Sequence, residues 1–264
     1  MALQRYFLEL AYDGTRYHGW QLQPNAVTVQ QKLNEALTVL LRHPVETTGA
    51  GRTDTGVHAR QLFVHIDVAA PHPPEGEVEL QAGKGIGNEK PKLRLEALNA
   101  LLPHDIAVKQ ILPIHADAHA RFDATLRSYE YHLHFQKDPF KLNYSWQIKG
   151  TLDVTAMNEA ASILLEYTDF SCFSKSNTQV FTNNCKINRA EWVDHTDGLV
   201  FHISADRFLR NMVRAIVGTC LMVGRREIEP EHIRQIIESK NRSNAGTSVP
   251  ACGLYLTEVK YPYL

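Results

Sequence analysis

The sequence predicts an α+β fold with a largely antiparallel sheet. Three observations carry this. Apolar and polar residues alternate from Arg5 to Tyr12 and from Arg127 to Phe135, the period of half-buried strands. Apolar residues at three- and four-residue spacing, the period of helices, fill segments between such strands. The two kinds of segment do not follow the strict strand–helix–strand order of a parallel sheet.

The elements follow in chain order. The first strand, Arg5 to Tyr12, is apolar at Tyr6, Leu8, Leu10 and Tyr12, and Asp13-Gly14 marks a turn after it. A helix starts at Thr28, whose hydroxyl with Gln31 forms a capping box. Val29, Leu33, Leu37, Leu40 and Leu41 give its apolar stripe, and Pro44 stops it. A loop, Gly49 to Gly56, leads to a strand with Leu62, Val64, Ile66 and Val68 on one face. From Ala70 to Lys90 periodicity is lost among prolines and glycines, which reads as a long surface loop. A helix over Lys92 to Leu102 and a strand over Ile106 to Leu112 complete residues 1–112, the first of two related halves. In residues 113–264, Tyr129, Tyr131, Leu133 and Phe135 face one way along a strand and Ser128, Glu130, His132 and His134 the other. Helices are predicted over Val154 to Glu166, Arg207 to Val223 and Glu231 to Ser239. Strands are predicted over Arg189 to Val193, Leu199 to Ser204 and Gly253 to Val259. The halves resemble each other in element order only.

Composition narrows the function. The chain has 264 residues, 44% hydrophobic and 22% charged, ordinary for a globular protein. No apolar run reaches the roughly 20 residues of a membrane span, and Met1 to Leu10 lacks the features of a signal peptide. A cytoplasmic protein is expected. With 28 basic and 29 acidic residues the net charge is −1, so any nucleic-acid site must be a local patch. Cys172, Cys185, Cys220 and Cys252 form no CxxC pair, and the 13 histidines form no HExxH cluster. His132 and His134 share a strand face without an evident third ligand, so no metal is expected. No Walker A loop is present, and Gly83, Gly85 and Gly87 miss the dinucleotide spacing, so no nucleotide cofactor is expected.

Four segments carry candidate chemistry. In the Gly49 to Ala59 loop, glycines surround Arg52, Thr53 and Asp54. Asp54 reads either as a nucleophile or base beside a cation, or as a turn residue bonding its own backbone. On the helix predicted from Arg207, the residues Arg207, Arg210 and Arg214 share one face. Five arginines and no acid lie between Arg207 and Arg226, which reads as an anion-binding surface or a solvated helix face. Arg214 sits in an apolar stretch, where a partly buried cation needs a carboxylate; Asp54 is the candidate. Tyr129 reads as a core residue or as a stacking platform for a base with a hydroxyl free for proton transfer. Tyr12 to Gln21 interleaves aromatics with Arg16 and His18, which suits looped RNA or a loop anchored by Trp20.

Together these segments resemble the tRNA pseudouridine synthase A family. The matching pieces are Tyr12-Asp13-Gly14 through Gly19-Trp20-Gln21, GAGRTDTGVHA at Gly49 to Ala59, LNALLPHDIAV at Leu98 to Val108, and Ala120-Arg121-Phe122 through Tyr131. Thr168 to Ser171, FLRNMVRAIVG at Phe208 to Gly218 and ACGLYLTEVKYP at Ala251 to Pro262 complete the series in family order. The resemblance implies a pseudouridine synthase fold: a mixed, mostly antiparallel central sheet flanked by helices, with two related halves and a central cleft. It implies an isomerase that converts uridine to pseudouridine at positions 38, 39 and 40 of the tRNA anticodon stem-loop, acting as a homodimer without metal or cofactor. Asp54 matches the family's catalytic aspartate, Tyr129 its stacking tyrosine, Arg214 the basic partner of the aspartate and Arg52 the arginine that helps extrude the uridine. Tyr129 is also the candidate acceptor of the C5 proton. Arg207 and Arg210 are expected on substrate phosphates. Three departures stand out: a residue is missing after His58, the 70–90 segment is long and acidic, and Ser248 replaces the usual alanine.

Overall fold

The computed structural model describes residues 3–69, 93–175 and 182–264. The predicted 70–90 loop therefore lies outside the described residues. The elements are β1 (Leu3–Tyr12), α1 (Val29–Leu41), β2 (Thr48–Gly49), β3 (His58–Ala69), α2 (Leu95–Leu101), β4 (Ile106–Ile114) and β5 (Leu126–His134). They continue with β6 (Trp146–Gln147), α3 (Val154–Ile163), β7 (Ile187–His195), β8 (Gly198–Ala205), α4 (Met212–Gly224), α5 (His232–Glu238) and β9 (Leu254–Lys260).

The strands form one sheet in the order β4-β1-β3-β9-β5-β8-β7, with β2 on β3 and β6 on β5. Pairing is antiparallel except between β3 and β9 and between β5 and β6. The fold is thus α+β with a mixed, mostly antiparallel sheet. The last strand to be made occupies the middle of the sheet. The β3–β9 contact is short, pairing His58 with Tyr255 and Ala59 with Leu256.

Two apolar cores flank this seam. One gathers α1, α2 and the strands β1, β3 and β4, with Leu256, Val259 and Tyr261 reaching in from the chain's end. The other gathers α3, α4, α5 and the strands β5, β7 and β8, with Val57 reaching in from the first half. Phe7, Leu33, Phe173 and Phe201 are fully buried, and each such side chain stabilises by about 1.5–3 kcal/mol relative to exposure.

Local chemistry explains most boundaries. Thr28 is the N-cap of α1, and its hydroxyl accepts the Gln31 N–H at 3.2 Å, but the Gln31 side chain donates to Glu35 at 2.8 Å, so only this half of the expected capping box forms. Arg42 in a left-handed conformation ends that helix two residues before Pro44. At the end of β5 the expected alternation reverses. His134 is buried against Ser145 at 3.0 Å and Phe135 is exposed, because the strand stops at His134.

The largest correction concerns α4. It starts at Met212, so Arg207 and Arg210 lie in the preceding 206–211 turn and share no helix face with Arg214. Asn211 has φ 67°, a left-handed conformation that breaks the helical path, and its amide donates to Ser248 Oγ. Of the helix's own residues only Arg214 and Met222 escape burial, so it is a core helix, not an amphipathic one. Arg225 and Arg226, at its far end, pair with Glu227 and Asp153. The five arginines therefore form no single surface.

Candidate active site

The loop between β2 and β3 presents Asp54 beside the central seam of the sheet. Its shape is fixed by close backbone approach. A Cβ at Gly14 would overlap the Val57 carbonyl, and one at Gly19, where φ is +84°, would overlap the Thr53 carbonyl. Trp20 N–H donates to the Thr53 carbonyl at 3.2 Å, and Gly56 N–H donates to the Tyr17 carbonyl at 3.3 Å. Beneath the loop, the Thr53 and Tyr12 hydroxyls meet at 2.9 Å. The Tyr12–Gln21 segment is thus a brace for the Asp54 loop. Its Arg16 is paired with Asp105 at 2.6 Å.

The Asp54 carboxylate faces two guanidinium groups. Arg214 Nη1 donates to Oδ2 at 3.3 Å, across 160 residues of chain. Arg210 Nε lies 3.9 Å from Oδ1. The side chains of Asp54 and Arg214 are 27% and 20% exposed, so the pair is shielded yet open to a ligand. Arg214 is held from behind by donating Nε–H to the Val249 carbonyl at 2.7 Å. The Val249 segment crosses α4 at Gly218, where a Cβ would overlap the Thr247 carbonyl. Ser248 accepts from both Asn211 and Arg242, tying this crossing to the start of α4.

Tyr129 comes from β5 opposite a register shift in the β5–β9 ladder, where Thr257 is the extra residue. Its ring meets Phe208 edge-on at 5.1 Å. Its hydroxyl has no hydrogen-bond partner among the described residues. Burial, with the nearby Asp54 carboxylate adding to it, pushes that hydroxyl up to about 12.

Asp54, Arg214 and Tyr129, all candidates in the sequence, lie together in the structure. Arg52 and Arg207 are the other residues expected near the substrate. Arg52 is exposed on the Asp54 loop, at a cavity of about 120 Å³ shared with Trp20, Gln30 and Arg121. Arg207 is half-buried beside Asp206, and neither arginine has an ion-pair partner among the described residues. Arg210, a further candidate for substrate phosphate, has its Nε 3.9 Å from Asp54 Oδ1. The Val249 carbonyl behind Arg214 was missed, because no local pattern marks a backbone acceptor 35 residues from its donor. Among the described residues no three His, Cys, Asp or Glu side chains gather as a metal site. No helix among them is long and apolar enough to cross a membrane.

A carboxylate held between two cations and beside an aromatic ring can act as a nucleophile or base on a planar, flipped-out ligand. Comparison with known proteins gives the same direction. A family model described as tRNA pseudouridine synthase matches residues 10–123 and 160–262. The tRNA pseudouridine synthase A of Parabacteroides distasonis is 49% identical over 98% of this chain and 97% of its own length. That of Bacteroides fragilis is 50% identical over 99% and 98%. That of Bacillus subtilis is 38% identical over 96% and 97%.

Proposed function

The chain belongs to the tRNA pseudouridine synthase family, and on that premise we propose that it isomerises uridine to pseudouridine at positions 38, 39 and 40 of the tRNA anticodon stem-loop. The observation that carries this reading is the Asp54–Arg214 contact at 3.3 Å beside Tyr129. The reaction breaks the C1′–N1 bond, turns the base and joins C5 to C1′. Nothing is oxidised and no group departs, so the chain's own residues suffice.

Asp54 supplies the carboxylate that starts the reaction. Arg214, anchored on the Val249 carbonyl, fixes its orientation, and Arg210 adds a second positive charge. Tyr129 stacks on the loosened uracil. Its hydroxyl, without a hydrogen-bond partner among the described residues, is the candidate acceptor of the C5 proton and passes its own proton on to a carboxylate or to water. Arg52, exposed and unpaired among the described residues, fills the gap left when the uridine leaves the stack, a step that costs a few kcal/mol. Arg207 contacts backbone phosphate. Residues 1–112 and 113–264 form the two walls of the cleft. The enzyme works in the cytoplasm, on tRNA, as a homodimer. Phe140 and Leu142, 87% and 73% exposed, support an apolar contact with a second copy. A monomer in sedimentation at micromolar concentration would refute that contact.

The test uses tRNA carrying tritium at C5 of its uridines. Intact protein is expected to release tritium and Asp54→Ala to release none. Folded intact protein that binds tRNA without release would make this a binding module, and free uracil as product would make it a glycosidase. Release by both proteins would remove Asp54 from its role.

A further inference from the structure

We propose that Arg127 is a positioning residue that locks the Asp54 loop to the two arginine-bearing loops around it, and so sets the rate of the isomerisation step. This rests on the function proposed above.

Arg127 lies in β5, two residues before Tyr129, and is half-buried. Among the described residues no carboxylate comes within ion-pair distance of it. Its guanidinium donates instead to four backbone carbonyls. Nη2 reaches Ala50 at 2.9 Å and Arg121 at 2.7 Å. Nη1 reaches Ala124 at 3.0 Å and Asp206 at 2.7 Å. These carbonyls belong to three separate segments: the loop that carries Arg52 and Asp54, the turn that carries Arg121, and the turn that carries Arg207 and Arg210.

Such a cation is unusual. Desolvation opposes its charge and lowers its pKa, and a buried charge is ordinarily paired. Asp206, the nearest acid, turns its carboxylate to the backbone N–H groups of Lys186 and Arg207 at 2.8 and 2.7 Å. Only the carbonyls are left to satisfy Arg127. A planar fork with five donors can serve four acceptors from three directions at once, whereas an ammonium cannot match that geometry. Each segment held this way is anchored at one end elsewhere: Ala50 N–H donates to the Phe63 carbonyl in β3 at 2.8 Å, Ala120 N–H to His65 Nδ1 at 3.1 Å, and Asp206 N–H to the Lys186 carbonyl at 3.2 Å. Arg127 joins these anchored segments to one another. It thereby fixes the spacing between the Asp54 loop and the 206–211 turn, and with it the approach of Arg210 to Asp54.

The test compares Arg127→Lys and Arg127→Gln with intact protein in single-turnover tritium release at saturating enzyme. Tertiary structure is checked by near-UV circular dichroism, and tRNA affinity is measured in parallel. In folded Arg127→Lys the single-turnover rate constant is expected to fall about 10- to 100-fold while the amplitude stays full and tRNA Kd changes less than about threefold. Hydrogen exchange is expected to quicken together in residues 50–54, 119–124 and 206–211. A purely structural residue would lower the amplitude and leave the rate constant of the folded fraction unchanged, which would overturn the proposal. So would a rate within twofold of intact protein, or failure of both variants to fold. Absence of tritium release by intact protein would refute the proposed function itself, a result distinct from these.

Discussion

The brace around Asp54 makes Gly19→Ala a sharp perturbation. Gly19 has φ +84°, where an L side chain costs roughly 1–2 kcal/mol. The added Cβ would stand 3.1 Å from the Asp54 carbonyl carbon and far closer to the Thr53 carbonyl oxygen, where ordinary contact begins at 3.4 Å. Both neighbours are backbone, so no side chain can swing aside. Relieving the overlap moves the Thr53–Asp54 backbone by about 1 Å, and a misplacement of that size costs on the order of 100-fold in rate. The fold survives, because about 1–2 kcal/mol of φ strain and about 1–3 kcal/mol for the displaced backbone stay below or near the low end of a typical stability of about 5–15 kcal/mol. The assay is tritium release under single turnover, with thermal unfolding alongside. Gly19→Ala is expected to melt a few degrees lower and to react about 100-fold more slowly. Gly51→Ala, three residues before Asp54 on the same loop and with nothing within 4 Å of its Cβ, is the matched control and is expected to stay within about threefold of intact protein. Folded Gly19→Ala with activity equal to that of Gly51→Ala would refute the bracing argument.

Two further outcomes follow from the same geometry. Burial, aided by the charge of Arg5, pushes the His65 imidazole down to about 4, and its neutral ring accepts the Ala120 N–H. The unfolded chain takes up this proton near pH 6.5 and the folded one near 4, so stability is full above pH 6.5 and falls as pH drops to 4, by up to about 3 kcal/mol from this group. Urea unfolding across that window is expected to show the slope, and His65→Gln to flatten it; an equal slope in the variant would assign the effect to other groups. For the arginines, Arg207→Ala is expected to lower the slope of log Kd for tRNA against log salt by about 1, whereas Arg225→Ala, paired with Glu227, leaves it unchanged. Equal slopes for intact protein and Arg207→Ala would remove Arg207 from the phosphate contacts.

What the sequence determined was local. The period-2 and period-3.6 patterns that predict β1, β5 and α1 are set by each residue's neighbours, and the Thr28 cap is complete within four residues. The glycine-flanked Asp54 loop was legible for the same reason, since glycines at close approaches leave their mark in the loop itself. Tertiary structure decided the rest. β9 enters the middle of the sheet because β3 and β5 both lack a partner on that side, a fact no segment of β9 records. Apolar spacing from Phe208 onward mimics a longer helix. Yet α4 begins only at Met212, because Asn211 takes a left-handed conformation and bonds Ser248, 37 residues away. Arg210 and Arg214 reach Asp54 across more than 150 residues, and Arg127 finds its acceptors among carbonyls of three loops. Backbone acceptors carry no residue identity, so contacts of that kind exist only once the chain has folded.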